Sequence, residues 1–414
     1  MTEAIKITMH GRTVGFMVWN SRLKKALFEY DRSFIASGIN IAPLTMPINS
    51  VRSQSGLSWS GNTDKLYRGL PPTFSDSLPD KWGSLLFKEW IKQQNISSKS
   101  ITPLDHLAFI GKRAMGALEY EPALSLGDEE PLDVNVQKLF DFSKRVLKGR
   151  ETLVLEQDES ILWQDLIKIS TSAGGKRPKA IVAINDDTGN VMSGQGRIPE
   201  GYTHYILKYD DDSVFPYAKL EYIYYLLARK AQINMMPSSL RLFGNVSHFL
   251  TERFDRIGNK KVHTQTLAAM NPDADSYEDI FRVMRKLNLP IEDFIQLFKI
   301  MTMNVLGGNV DDHNKNFSFL LDEKGIWHLA PAYDLTYCID NNAPSYINRH
   351  ELSINGKVDN ITKKDIIEVG IRQDIPNCGH LYEQVEESIS SFPAIATEYG
   401  IKKDLIKIIS NILF

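Results

Sequence analysis

Cysteine is scarce in this 414-residue chain: Cys338 and Cys378 are the only two, and they form no Cys-x-x-Cys pair. Neither a disulfide framework nor a cysteine-based zinc site can be built from them, and a reducing compartment is the natural setting. A charge excess is missing too. Lys and Arg number 48 against 51 Asp and Glu, a net charge of −3. A protein that gripped phosphate backbones by itself would show basic excess or basic runs, so any DNA is expected to be held through a partner. No apolar stretch approaches the length that spans a bilayer, and Met1 to Ile7 opens without the apolar segment of a secretion signal. No repeat or low-complexity tract stands out. The expectation is a cytoplasmic protein with no membrane contact.

What the chain does have is core material: 43% hydrophobic and 10% aromatic residues, with 24% charged. That is enough to offset chain entropy, and the length calls for two or three structural units. The first hundred residues read as short strands broken by turn signals such as His10-Gly11-Arg12 and Gly69-Leu70-Pro71-Pro72. A helix follows, with Ser77 as N-cap, Pro79 in the first turn, and Leu85, Leu86, Trp90 and Ile91 at helical spacing. The acidic, proline-containing stretch Gly127 to Val134 reads as a connection between units. Beyond it, Ala180 to Ile184 and Thr203 to Lys208 read as strands, the first followed by the hairpin chemistry of Asn185 to Asn190. Tyr217 to Ile233 reads as a helix, Phe249 to Phe254 as a strand, and Ile291 to Leu306 and Ile401 to Phe414 as helices. A β-rich part followed by an α-rich part makes an α+β fold class.

The most informative segment is Gly307-Gly308-Asn309-Val310-Asp311-Asp312-His313-Asn314-Lys315-Asn316-Phe317. It follows a helix and precedes an apolar run, a loop position where functional side chains collect. Asp311 and Asn316 are five apart, the spacing of a kinase catalytic loop, in which the Asp orients or deprotonates a hydroxyl and the Asn offers an oxygen to Mg²⁺. A second hard-cation ligand is needed, and Asp334 stands eighteen residues after Asn316, beyond two strand-like runs. Solvated turns share this polar composition, so the order of the parts carries the weight.

That order extends upstream. In Ser170-Thr171-Ser172-Ala173-Gly174-Gly175-Lys176-Arg177-Pro178-Lys179, paired glycines let backbone N–H groups approach a phosphate, and three basic residues add positive charge. Lys208 ends a strand, and Glu221 lies thirteen residues on, near the start of a helix. Kinases use such a pair, the carboxylate holding a flexible ammonium against the phosphates.

Together with Glu252-Arg253-Phe254-Asp255-Arg256 and Tyr333-Asp334-Leu335, these segments resemble the HipA-type toxin kinases. The N-terminal part matches through Gly69-Leu70-Pro71, Phe74 to Asp80 and Gly83, and the resemblance runs from about residue 10 to about residue 400. It implies a bacterial serine/threonine protein kinase with a two-lobed fold related to protein and phosphoinositide kinases. It also implies a small helix-turn-helix, HipB-like antitoxin as partner and a translation-related substrate such as an aminoacyl-tRNA synthetase. The divisions would be a β-rich N-terminal subdomain (1–122), a kinase N-lobe (123–256) and a helical C-lobe (257–414). By position, Asp311 would be the catalytic base, Asn316 and Asp334 the Mg²⁺ ligands, and Lys208 a phosphate contact. Glu252 to Phe254 would form the strand whose backbone reads adenine, and Gly174 to Lys179, Glu221, His313 and Tyr333 would complete the ATP site. Ser172 matches the autophosphorylated serine of the family, with Ser170 and Thr171 close by. A phosphate there would compete for Lys176 and Arg177. The loop is more basic than in the best-known member of the family and carries a proline. Two other readings stay open: a kinase-like corepressor working mainly through its antitoxin, and a small-molecule or lipid kinase, since Asp311-x-His313-x-x-Asn316 is also a phosphoinositide-kinase pattern. Two-metal nucleic-acid cleavage through Asp311 and Asp334 is a further alternative.

Overall fold

The structure is a computed structural model, and it describes residues 2–123, 134–148, 164–167, 169, 178–210, 215–340 and 347–413. The chain forms two compact units: Met1–Asp211 with Leu242–Thr264, and Asp212–Arg241 with Gln265–Phe414.

In the first unit, β1 (Ala4–Met9), β2 (Arg12–Asn20), β3 (Lys25–Tyr30), β4 (Trp59–Ser60) and β5 (Leu118–Glu121) form a sheet in the order β4-β3-β2-β1-β5. Its inward side chains include Ile5, Ile7, Met17 and Phe28, all fully buried. Helix α1 (Lys81–Gln93) starts where the sequence signals a helix, with a different cap: Asp80 accepts from Gly83 N at 2.6 Å, and Pro79 precedes the helix. Ser77 is buried and accepts instead from the Tyr120 hydroxyl at 2.6 Å. With Ser77 engaged by Tyr120, the Asp80 carboxylate, an equally competent cap, takes the helix N-terminus. Helix α2 (Pro103–Ile110) carries a capping box from Thr102 and Asp105.

A second sheet contains β6 (Lys179–Asn185), β7 (Val191–Ser193), β8 (Tyr202–Lys208) and, after β9 (Ser238–Phe243), β10 (Val246–Glu252). Its antiparallel order across the first unit is β7-β6-β8-β10. The expected hairpin after Ile184 is present, closed by Asn185, whose Oδ1 accepts from Asp187 N and Thr188 N. β6 is buried from Lys179 to Ile184, which matches its unbroken apolar run. One hydrophobic core runs from Ile5 and Phe28 through Phe74, Trp82 and Tyr120 to Ile184, Leu207 and Leu250. The N-terminal strands and the β6–β10 strands thus share a core within one unit, and most of the 127–134 connection lies outside the described residues.

Two short strands, β11 (Arg256–Ile257) and β12 (Lys260–Lys261), form a hairpin, and β13 (His263–Thr266) leads into the second unit. That unit is mainly helical, with α3 (Tyr217–Lys230), α4 (Tyr277–Lys286), α5 (Ile291–Leu306), α6 (Lys363–Arg372) and α7 (Cys378–Ser390). α4 is capped by Ser276 and carries acids in its first turn and bases in its last, as the helix dipole favours. α5 buries residues on nearly every side, including Phe294, Leu297, Phe298, Met301 and Met303, so it is the central helix of the unit. It spans the residues its periodicity indicates. The hairpin β14 (Ser318–Leu321) and β15 (Trp327–Leu329) follows the site loop and forms a three-stranded sheet with β13.

Candidate active site

The site in the second unit grows from the end of α5. Gly307 closes the helix, its N–H bonded to Met303 O at 2.8 Å, and a Cβ here would meet that same oxygen at 2.6 Å and the Tyr224 ring at 2.9 Å. The Tyr224 hydroxyl donates to Gly307 O. Gly308 adopts φ +62°, the left-handed region a glycine enters without strain, and its carbonyl accepts from Cys338 N at 3.0 Å. The loop that follows is pinned at its far end, where Leu267 N donates to Phe317 O and Ala268 N to Asn314 O.

Within it, neighbouring aspartates do different work. Asp312 is fully buried and accepts from the Tyr277 hydroxyl (2.8 Å), His350 Nδ1 (2.8 Å) and Glu351 N (2.9 Å). Next to a carboxylate, the His350 ring presents its Nδ1–H. With its oxygens so engaged, Asp312 is an anchor. Asp311 is half-buried, and Asn316 Nδ2 donates to the Asp311 carbonyl oxygen at 2.7 Å. That bond uses the amide nitrogen of Asn316 and leaves its Oδ1 as an acceptor, the atom a hard cation takes.

Asp334 sits in the left-handed region at φ +54°. A non-glycine residue held there is strained unless its surroundings over-determine it, and such strain gathers at functional sites. Among the contacts that hold the segment, Asn309 Nδ2 reaches the Asp334 carbonyl at 3.4 Å, and Ala332 N donates to Asn234 O at 2.8 Å. The Tyr333 hydroxyl bridges back to the loop, donating to Lys315 O at 2.8 Å and lying 2.6 Å from Ser318 Oγ. His313 is half-buried, with its Nδ1 buried and lacking a hydrogen-bond partner.

Cys338 reports the electrostatics. Its thiol is pushed up to about 12, first by burial and then by the negative potential of Asp311, Asp334 and Glu221. Carboxylates of the loop, the Tyr-Asp-Leu segment and α3 thus all add negative potential at this thiol. Tyr224, three residues after Glu221 on α3, ties that helix to the loop through Gly307 O. Local negative charge of this kind favours a cation. Among the described residues no group of three or more His, Cys, Asp and Glu forms a metal cluster. Mg²⁺ needs only one or two carboxylates beside phosphate oxygens and water, so Asn316 Oδ1 and the Asp334 carboxylate fit it.

The first unit carries the other expected residues. Lys179 and Lys208 are direct partners across β6 and β8. Like charges placed opposite each other are destabilising without an anion. Lys179 is buried and paired with Asp80 at 3.6 Å, and Lys208 Nζ lies 5.8 Å from the centre of the Phe249 ring. Pro178 precedes β6, its carbonyl accepting from Tyr209 N. Glu252 ends β10, its carboxyl pushed up by burial and by Asp186, and Phe254 begins the turn that follows. Arg253 extends the ladder through its N–H to His204 O at 3.0 Å, while its side chain is fully buried and grips Asp255 through Nε and Nη2, both at 2.8 Å. The Arg253 side chain is therefore committed to Asp255 inside the protein. Ser172, Gly174, Gly175, Lys176 and Arg177 lie outside the described residues. Asn304, Asn309, Tyr277, His350 and Cys338, which hold the site together, carry no motif of their own. The doubled aspartate is the single sequence sign that one of the pair faces inward.

This loop, its hairpin and the following Asp stand in the order the sequence indicates, on an α+β scaffold. Residues 171–411 match the family described as HipA-like C-terminal domain, and residues 5–121 match HipA N-terminal domain. The chain belongs to the HipA family. Among curated proteins it is similar to "Putative kinase Y4mE" of Sinorhizobium fredii, 24% identical over 281 residues, 61% of this chain and 63% of that protein. The chain thus spans less than two thirds of that relative's length. Among solved structures it is similar to HipA of Shewanella oneidensis MR-1, determined as a complex with HipB and its operator DNA. The TM-score is 0.68 at 16% identity, covering 99% of this chain and 95% of that one. This likeness establishes the HipA fold. No helix among the described residues is long and apolar enough to cross a membrane.

Proposed function

We propose that the chain is an ATP- and Mg²⁺-dependent serine/threonine protein kinase, the toxin of a toxin–antitoxin pair, working in the cytoplasm. The observation that carries this reading is the loop geometry: Asn316 Nδ2 donates to the Asp311 carbonyl at 2.7 Å and leaves its Oδ1 as an acceptor, while Asp311 and Asp334 both add negative potential at the Cys338 thiol. Asp311 orients the acceptor hydroxyl and takes its proton as the oxygen bonds to the γ-phosphorus and the bond to the ADP oxygen breaks. Asn316 Oδ1 and the Asp334 carboxylate would hold Mg²⁺, which offsets charge on the phosphates. Lys208 suits the nucleotide phosphates and the backbone of Glu252 to Phe254 suits adenine, whereas Lys179 is buried against Asp80 and serves the fold. The partner is a HipB-like helix-turn-helix antitoxin, as in the Shewanella complex, with DNA reached through it. The substrate class is a translation-related protein such as an aminoacyl-tRNA synthetase, and Ser172 is the autophosphorylation site. The test is transfer of labelled γ-phosphate from ATP to the purified chain. The expected result is labelling of Ser172 that is lost in Asp311→Ala, and an Asp311→Ala protein that labels itself as well as the parent would overturn the reading.

A further inference from the structure

A buried chain of hydrogen bonds joins the anchor of the catalytic loop to the strained Asp334. Asp312 accepts from the Tyr277 hydroxyl, and that hydroxyl accepts from Asn304 Nδ2 at 2.7 Å. Asn304 Oδ1 then accepts from Asn309 Nδ2 at 2.9 Å, and the same Nδ2 reaches the Asp334 carbonyl at 3.4 Å. Cys338 Sγ donates to Asn309 Oδ1 at 3.1 Å. Tyr277, Asn304, Asn309 and Asp312 are each buried to within 2% of full burial. The raised thiol pKa keeps Cys338 a donor throughout the neutral range.

We infer that Asn309 is a positioning residue for the metal: held from both sides by Asn304 and Cys338, it fixes the left-handed backbone of Asp334, and with it the carboxylate, relative to Asn316. This rests on the kinase reading and adds to it a residue that touches neither nucleotide nor phosphoacceptor. A free side-chain amide at this point would rotate. Cys338 and Asn304 read its two ends differently, the thiol needing the oxygen and Asn304 Oδ1 needing the nitrogen, so one orientation alone satisfies both. Residues that orient a metal ligand are typically worth about 10- to 100-fold in metal affinity.

The experiment is calorimetric titration of Mn²⁺ into the full chain saturated with a non-hydrolysable ATP analogue, together with the affinity for the analogue in EDTA. Asn309→Ala is expected to weaken Mn²⁺ binding about 10-fold or more and to leave metal-free nucleotide binding within about twofold. Cys338→Ala should shift Mn²⁺ affinity in the same direction by less, and Cys338→Ser, which restores a donor, should recover it. Unchanged Mn²⁺ affinity in a folded Asn309→Ala protein would overturn the inference, as would a parallel loss of metal-free nucleotide binding, which marks a purely structural role. Should Asn309→Ala fail to fold, the Cys338 pair decides: equal Mn²⁺ affinity in the alanine and serine variants overturns the inference. If the parent binds the nucleotide with no metal dependence, the kinase reading itself falls and takes the inference with it. If the parent shows that dependence and Asn309→Ala keeps it, the inference alone fails.

Discussion

Two polar centres, one in each unit, use carboxylates to opposite ends. In the first unit Asp255 is fully buried between Arg253 and Arg256, and it accepts in addition from Gly116 N at 2.7 Å. The two guanidiniums hold its carboxyl far below the usual range in spite of burial. In the second unit Asp311, Asp334 and Glu221 all add negative potential at one half-buried thiol. A carboxylate wrapped in cations and backbone N–H groups is a structural tie, because its charge is spent inside the protein. Carboxylates that add their negative potential at one place favour a nearby cation.

The comparison breaks most readily at Asp255. Asp255→Asn leaves two buried guanidiniums around a neutral amide, and removing one partner of such a pair costs about 3–5 kcal/mol. Urea unfolding should show that loss, and a variant as stable as the parent would show that the arginines are compensated elsewhere. The matching change in the second unit, Asp334→Asn, should instead cost about 10²- to 10³-fold in phosphoryl transfer while the unfolding midpoint stays near that of the parent. A collapse in stability with modest kinetic loss would move Asp334 to the structural class.

A smaller effect concerns acid. His204 and His263 in the first unit are both lowered to about 4, chiefly by burial, His204 also by Arg253 and Arg256. Each takes up a proton more readily unfolded than folded. Their contribution is therefore complete above pH 6.5 and declines as pH falls toward 4, by about 1.4 kcal/mol per pH unit for each fully titrating histidine. Asp255, whose pKa is depressed, adds loss only once the pH falls below the ordinary carboxylate range. Urea midpoints at pH 7 and pH 5 measure this, and His204→Gln should flatten the decline. The smallest effect belongs to the exposed pair Lys6–Glu121, 3.1 Å apart with both side chains about two-fifths exposed. Lys6→Ala should change stability by less than about 1 kcal/mol.

Much of this was legible in the sequence, for reasons that differ by residue. α5 followed from its apolar periodicity, the β6–β7 hairpin from Asn185 to Asn190, and the loop–hairpin–Asp order from spacing, since local chemistry determines each of them. Which of two adjacent aspartates faces solvent was not legible from composition, because it depends on Tyr277 and His350, 35 and 38 positions away. The cap of α1 was missed by three residues because Ser77 and Asp80 are both competent caps, and the choice rests on packing by Tyr120. Arg253 looked like a cofactor contact because its neighbours do. Its burial depends on Asp255 two residues on and on Gly116 in the N-terminal part of the chain, a contact that spacing does not reveal.

The most direct measurement is calorimetry of ATP binding with and without Mg²⁺ for the parent chain and for Asp334→Asn. Mg²⁺ is expected to strengthen ATP binding to the parent, and this gain to disappear in the variant, whose fold and metal-free binding persist. An equal Mg²⁺ gain in both proteins would contradict that expectation.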